Sequence, residues 1–141
     1  MLRGLDPLLT PDLLHALASA GHGDRVAIVD ANFPAAAIAR RLVRAPGIAA
    51  TALLEAVLSV LPVDDFDPEP IAVMQVVGDS TATPEAVQGF TSILQRHGLA
   101  APARLARHDF YRAAAEAFVI VQTGERRLYG NVLLTKGVIH P

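Results

Sequence analysis

The chain has 141 residues, 52% of them apolar and only 18% charged, with no cysteine and a formal net charge of −2. Such a length suits one domain, residues 1–141, able to bury roughly 70% of its unfolded surface, and the missing cysteines exclude disulfide scaffolds, thiolate catalysis and cysteine-bound metal centres. Lys and Arg are nowhere denser than the pairs Arg40-Arg41 and Arg126-Arg127, so the electrostatic footprint of a DNA or RNA binder is missing.

Met1 to Pro7 lacks the apolar core of a signal peptide, and uncharged stretches such as Ala45 to Leu54 fall short of the roughly 20 apolar residues that span a bilayer. A cytoplasmic chain without membrane association is expected. Thr10-Pro11-Asp12 starts a helix, with a capping hydroxyl, a proline at the first helical position and an acid in the first turn, running to about Ala20. Gly21-His22-Gly23-Asp24 breaks it. Val26 to Val29 then shows no polar alternation, the pattern of a parallel strand covered on both faces. Pro34 opens a short alanine-rich helix through about Leu42, and Thr51 caps another through about Val60, stopped by Pro62. Asp64 to Pro70 reads as a surface loop, Ile71 to Val77 as a second buried strand, and Thr83-Pro84-Glu85 as the start of a helix ending near Gly98. A short strand at Arg104 to Arg107, a helix from Asp109 to Ala117 and a strand from Phe118 to Gln122 follow. The turn Thr123 to Arg126 then predicts a hairpin returning through Leu128 to Leu134. The expected fold is an α/β three-layer sandwich with a mostly parallel sheet and an antiparallel carboxyl-terminal hairpin.

Ligands of open α/β sheets gather outside the carboxyl ends of the strands, which directs attention to four polar clusters. His22 lies between two glycines that clear side chains from its surroundings, and an imidazole can exchange protons near neutral pH; the alternative is a solvated turn. Asp30 directly follows a buried strand and must be paired, either to a ligand hydroxyl, to His22, or to the amides of the next helix. Arg107-His108-Asp109 joins a guanidinium fork to an imidazole and a carboxylate, suiting phosphate, carboxylate or vicinal hydroxyls, or else forms an exposed helix start. Tyr129 and Asn131, two apart on the last strand with Gly130 between them, offer neutral donors and acceptors to a hydroxylated ligand, or simply satisfy a sheet edge. No complete dinucleotide fingerprint, P-loop, nucleophile elbow or histidine spacing for a metal occurs, so no cofactor and no metal are expected.

Taken in order, Gly21-His22-Gly23-Asp24, Asp30-Ala31-Asn32-Phe33-Pro34-Ala35, Phe110-Tyr111, Thr123-Gly124-Glu125, Tyr129-Gly130-Asn131 and Lys136-Gly137-Val138 resemble the L-fucose mutarotase and D-ribose pyranase family over nearly the whole chain. The resemblance implies that His22 is the proton donor and that Asp30, Arg107, Tyr129, Gly130 and Asn131 bind a monosaccharide. Arginine at Arg107 favours the fucose branch over the ribose branch, which has histidine there; His108 is the neighbouring alternative. Ala37 departs from the serine many members carry. The implied activity is an isomerase interconverting the α and β anomers of L-fucose or a related sugar. Ribose-type pyranose/furanose interconversion, a non-catalytic sugar-binding module and an accessory protein with a vestigial pocket are the competing readings. Relatives form homo-oligomers, bacterial ones often decameric rings with sites near subunit contacts, which matches a charge-poor chain with apolar surface to hide.

Overall fold

A computed structural model describes all 141 residues. Its elements in chain order are α1 (Pro11–Ser19), β1 (Arg25–Val29), α2 (Ala35–Ile38), β2 (Leu42–Ala45), α3 (Ala50–Leu58), β3 (Ile71–Met74), α4 (Glu85–Arg96), β4 (Ala103–Leu105), α5 (Arg107–Glu116), β5 (Val119–Thr123) and β6 (Val132–Thr135). The six strands form one sheet in the order β2-β5-β1-β6-β3-β4. All run parallel except β6, which pairs antiparallel with both β1 and β3. The expected sandwich and mostly parallel sheet are therefore present, and the carboxyl-terminal return is antiparallel. It is not a hairpin: β1 lies between β5 and β6, so the returning strand exchanges hydrogen bonds with β1 and β3 instead of its chain neighbour.

The apolar strand runs follow from burial on both faces. Val26 and Ile28 point into a core shared with α1, α3 and α4, while Ala27 and Val29 point into a second core with α2 and α5. Phe90, Leu53 and Leu94 fill the first layer and Phe110 the second, all fully buried. A strand that alternated polar and apolar residues would place polar groups in one of these layers.

Of the three threonines expected to cap helices, one does so. Thr10 Oγ1 accepts the Leu13 amide at 3.3 Å, as the sequence predicts. Thr51 does not cap α3, whose first amide, that of Ala50, instead donates to the Glu125 carboxylate at 3.2 Å. Thr83 does not cap α4 either; its hydroxyl accepts from the Arg104 guanidinium at 2.7 Å. The alanine-rich helix expected through Leu42 stops at Ile38, and Leu42–Ala45 forms the edge strand β2. Tyr129, expected in the last strand, sits in a turn before β6 with φ of 60°.

Candidate functional site

Because β6 runs against its neighbours, its amino end lies at the carboxyl ends of β1 and β3, and four segments converge there. Asp30 follows β1, Met74 to Val77 leave β3, Arg107 opens α5 after β4, and Tyr129 to Asn131 lead into β6. They border an open cavity of about 210 Å³ whose lining combines the polar Asp30, Arg107, Tyr111, Tyr129 and Asn131 with the apolar Phe33, Met74, Val77 and Leu128. Arg107 lines this cavity and His108 does not; both border a larger neighbouring hollow of about 510 Å³ beside the 75–80 loop.

Hydrogen bonds fix the polar wall. The Asp30 amide donates to Asn131 Oδ1 at 2.9 Å, and Asp30 Oδ1 accepts the Asn32 amide at 2.9 Å, which makes Asp30 part of a tight turn and not a cap for α2. The residue is only 5% exposed. Burial pushes its pKa above the usual carboxylate range, against the lowering pull of the Asn32 amide and the Asn131 side chain. The phenol oxygen of Tyr129 accepts the Val77 amide at 3.1 Å, tying the β3 exit loop to the β6 entry. On α5, Arg107 and Tyr111 are four residues apart and share a face, with the guanidinium 5.7 Å from the ring centroid. Phe33 holds that ring edge-on at 5.3 Å.

Gly130 does not line the cavity; a Cβ there would meet Glu125 Cγ at 2.6 Å, so its place between Tyr129 and Asn131 is one of close packing. Beneath it, Glu125 is buried with both carboxylate oxygens engaged by Arg127 at 2.9 Å. The Arg127 side chain above all holds Glu125 down at about 2, outweighing the cost of burial.

His22 stands elsewhere. It precedes β1 whereas Asp30 follows it, and the five-residue strand alone separates its two ends by roughly 13 Å. Within one chain His22 therefore touches neither Asp30 nor the cavity, and of the alternatives for Asp30 the pairing with His22 does not occur. Its partner is Asp64, in the loop read from the sequence as plain surface: Nε2 lies 3.0 Å from Asp64 Oδ1. Burial disfavours the Asp64 charge, but the His22 hydrogen bond, the Phe66 amide and the His22 charge outweigh it and hold the carboxyl below its usual range. An ionised carboxylate only accepts, so Nε2 donates to Asp64 and Nδ1 is left for other partners. The loop is anchored by β6. Gly23 donates its amide to the Lys136 carbonyl at 2.8 Å, Asp64 donates its own to the Thr135 carbonyl at 2.9 Å, and Lys136 Nζ closes the carbonyls of Leu17 and Ala20 at the end of α1. Gly137 admits this approach, since a Cβ there would stand 2.7 Å from Asp64 Cα.

Tyr111, Met74, Leu128 and Asp64 are the residues sequence reasoning passed over. Tyr111 carried a signal, four positions after Arg107 on a helix; the other three had none. No three His, Asp or Glu side chains converge as a metal site requires, and no helix is long and apolar enough to cross a membrane.

Comparison with known proteins bears on this geometry. Residues 3–139 match the model of the RbsD / FucU transport protein family. Fucose mutarotase of Homo sapiens is 44% identical over 146 aligned positions, covering 98% of this chain and 94% of the human protein. The crystal structure of the fucose mutarotase of Streptococcus pneumoniae in complex with L-fucose superposes with a TM-score of 0.93 at 35% identity, covering 99% of this chain and all of that one. The crystal structure of FucU from Bifidobacterium longum matches with a TM-score of 0.91 at 32% identity, over 98% of this chain and 100% of its own. The chain belongs to the RbsD / FucU family.

Proposed function

We propose that this protein is a sugar mutarotase that interconverts the α and β anomers of L-fucose, acting as a cytoplasmic homo-oligomer of single-domain chains. The observation that carries the reading is the cavity at the strand carboxyl ends, whose lining combines Asp30, Arg107, Tyr129 and Asn131 with the apolar Met74, Val77 and Leu128. A 6-deoxy sugar offers the same two chemistries, ring hydroxyls and a methyl. The naming of the human relative as a fucose mutarotase and the L-fucose complex of the Streptococcus pneumoniae enzyme support it from outside the chain.

Ring opening requires a proton on the ring oxygen and removal of the proton from the anomeric hydroxyl. The C1–O5 bond then breaks to leave an open-chain aldehyde, rotation about C1–C2 turns the other carbonyl face toward the C5 hydroxyl, and reclosure returns both protons. The proton donor is His22: Asp64 holds Nε2, so Nδ1 gives its proton to the ring oxygen, while the proton of the anomeric hydroxyl passes to water and is returned on reclosure. Since one chain keeps His22 and the cavity at opposite ends of β1, the donor reaches the sugar from a second copy. Two copies thus form one site, with Asp30, Arg107, Tyr129 and Asn131 from the first and His22 with Asp64 from the second. Gly130 acts by letting its neighbours pack.

Saturation transfer between the α and β anomeric protons of L-fucose tests the reading. The wild-type chain is expected to transfer saturation far above the buffer rate, and His22→Ala to lose about 10²–10⁴ of that acceleration with its fold intact. Sugar binding without faster exchange would instead make the protein a binding module.

A further inference from the structure

Few large apolar side chains are left in solvent, and three of them frame the two halves of the site: Val77 and Leu128 at the mouth of the cavity, 61% and 68% exposed, and Phe66 beside His22, 68% exposed. The Phe66 ring centroid lies 5.5 Å from that of His22, and the Phe66 amide donates to Asp64 Oδ1 at 3.3 Å, the same oxygen that holds His22 Nε2. One carboxylate oxygen thus ties the His22 ring to the backbone that carries Phe66, and the His140 ring centroid lies 6.1 Å from that of Phe66. An assembly that brings His22 to a neighbouring cavity brings Phe66 close to it as well. In the isolated chain Phe66 stands largely in solvent.

We propose that Phe66 is a specificity residue of the assembled site. It enters with His22 and completes, with Met74, Val77 and Leu128 of the receiving copy, an apolar wall for the substituent on C5 of the sugar. This rests on the reading that His22 serves a neighbouring cavity. The polar side fixes ring hydroxyls, which D-arabinose, L-fucose and L-galactose share in configuration; they differ only in carrying hydrogen, methyl or hydroxymethyl on C5. The wall therefore decides among them. A methyl in an apolar pocket is discriminated by about 10- to 200-fold, whereas without the ring the wall is open to water on one side.

The test is the ratio of kcat/KM for L-fucose to that for D-arabinose, both read by anomer exchange in the same protein solution. Such a ratio is independent of how many chains are assembled, so a variant that weakens association still reports. Wild type is expected to favour L-fucose, and Phe66→Ser to lower the ratio about tenfold, through L-fucose, with D-arabinose changed less than twofold. Phe66→Leu, which keeps an apolar side chain, is expected to retain most of the preference, and L-galactose to gain relative to L-fucose in the serine variant. Equal losses on the two sugars, or the same ratio in the serine and leucine variants, would overturn the assignment. Failure of the two-copy reading shows itself separately: co-expressed His22→Ala and Asp30→Asn chains would then form no active sites.

Discussion

Replacing Glu125 by glutamine removes a charge that the fold uses in three directions at once. Its Oε1 accepts the Arg127 amide and Nε, both at 2.9 Å, and its Oε2 accepts Arg127 Nη2 at 2.9 Å and the first amide of α3 at 3.2 Å. Its own carbonyl receives the Ala31 amide at 3.0 Å, next to Asp30. Holding this carboxyl at about 2 in place of 4.5 corresponds to about 3 kcal/mol at full value. Arg127 is one-third exposed, so solvent screening reduces that to about 2 kcal/mol. The folded carboxyl titrates below the unfolded one, so this stability is complete above pH 4.5 and disappears as the pH falls toward 2. Urea unfolding of wild type and Glu125→Gln between pH 2.5 and 7 should give a gap of about 2 kcal/mol on the neutral side that shrinks steadily below pH 4.5. Identical stability at pH 7 would refute the argument. A gap that persists unchanged at pH 2.5 would assign the effect to packing and not to charge.

Two further predictions concern the same corner of the fold. Asp30 has its folded pKa raised by burial, so its charge weakens the fold at neutral pH: Asp30→Asn should raise Tm by about 2–4 °C per kcal/mol relieved at pH 7. That gain should vanish below the unfolded carboxylate value, where both side chains are neutral, and a Tm lowered at pH 7 would contradict it. Gly130→Ala places a methyl 2.6 Å from Glu125 Cγ. It should destabilise by about 1–3 kcal/mol and raise KM for the sugar; thermal melts and anomer exchange would show wild-type values if the contact were slack.

The sheet was legible because its strands are buried on both faces. Val26 to Val29 and Phe118 to Gln122 leave no other reading, and the ligand end follows from their polarity. What stayed hidden depends on pairing over long sequence distances. Leu42–Ala45 is a short edge strand with an arginine inside it, so no apolar run marks it. The β6 strand pairs with β1 about 100 residues earlier, and the local turn at Thr123 to Arg126 carries no trace of that choice. Tyr129 takes a left-handed backbone conformation that sequence patterns reserve for glycine or asparagine, so the strand starts at Val132 and not at the expected Leu128. Asp30, Arg107, Tyr129 and Asn131, which line the cavity, were legible as candidates because each follows or precedes a recognisable strand or helix. His22 was legible as a candidate too, but its position before β1 assigns it to the amino end, and only the three-dimensional sheet makes that separation from Asp30 plain. Asp64 went unnoticed because an acidic, proline-bearing segment looks the same whether it is solvated or holds an imidazole.

The division of the site between two copies is open to one direct measurement. His22→Ala and Asp30→Asn are each expected to be inactive in anomer exchange with L-fucose. In oligomers co-assembled from equal amounts of the two, a cavity from a His22→Ala chain meets an intact His22 from an Asp30→Asn neighbour at about one contact in four, with random mixing of closed rings. About a quarter of wild-type exchange should therefore return. A mixture as inactive as its components would contradict the shared site, placing donor and cavity in a single chain.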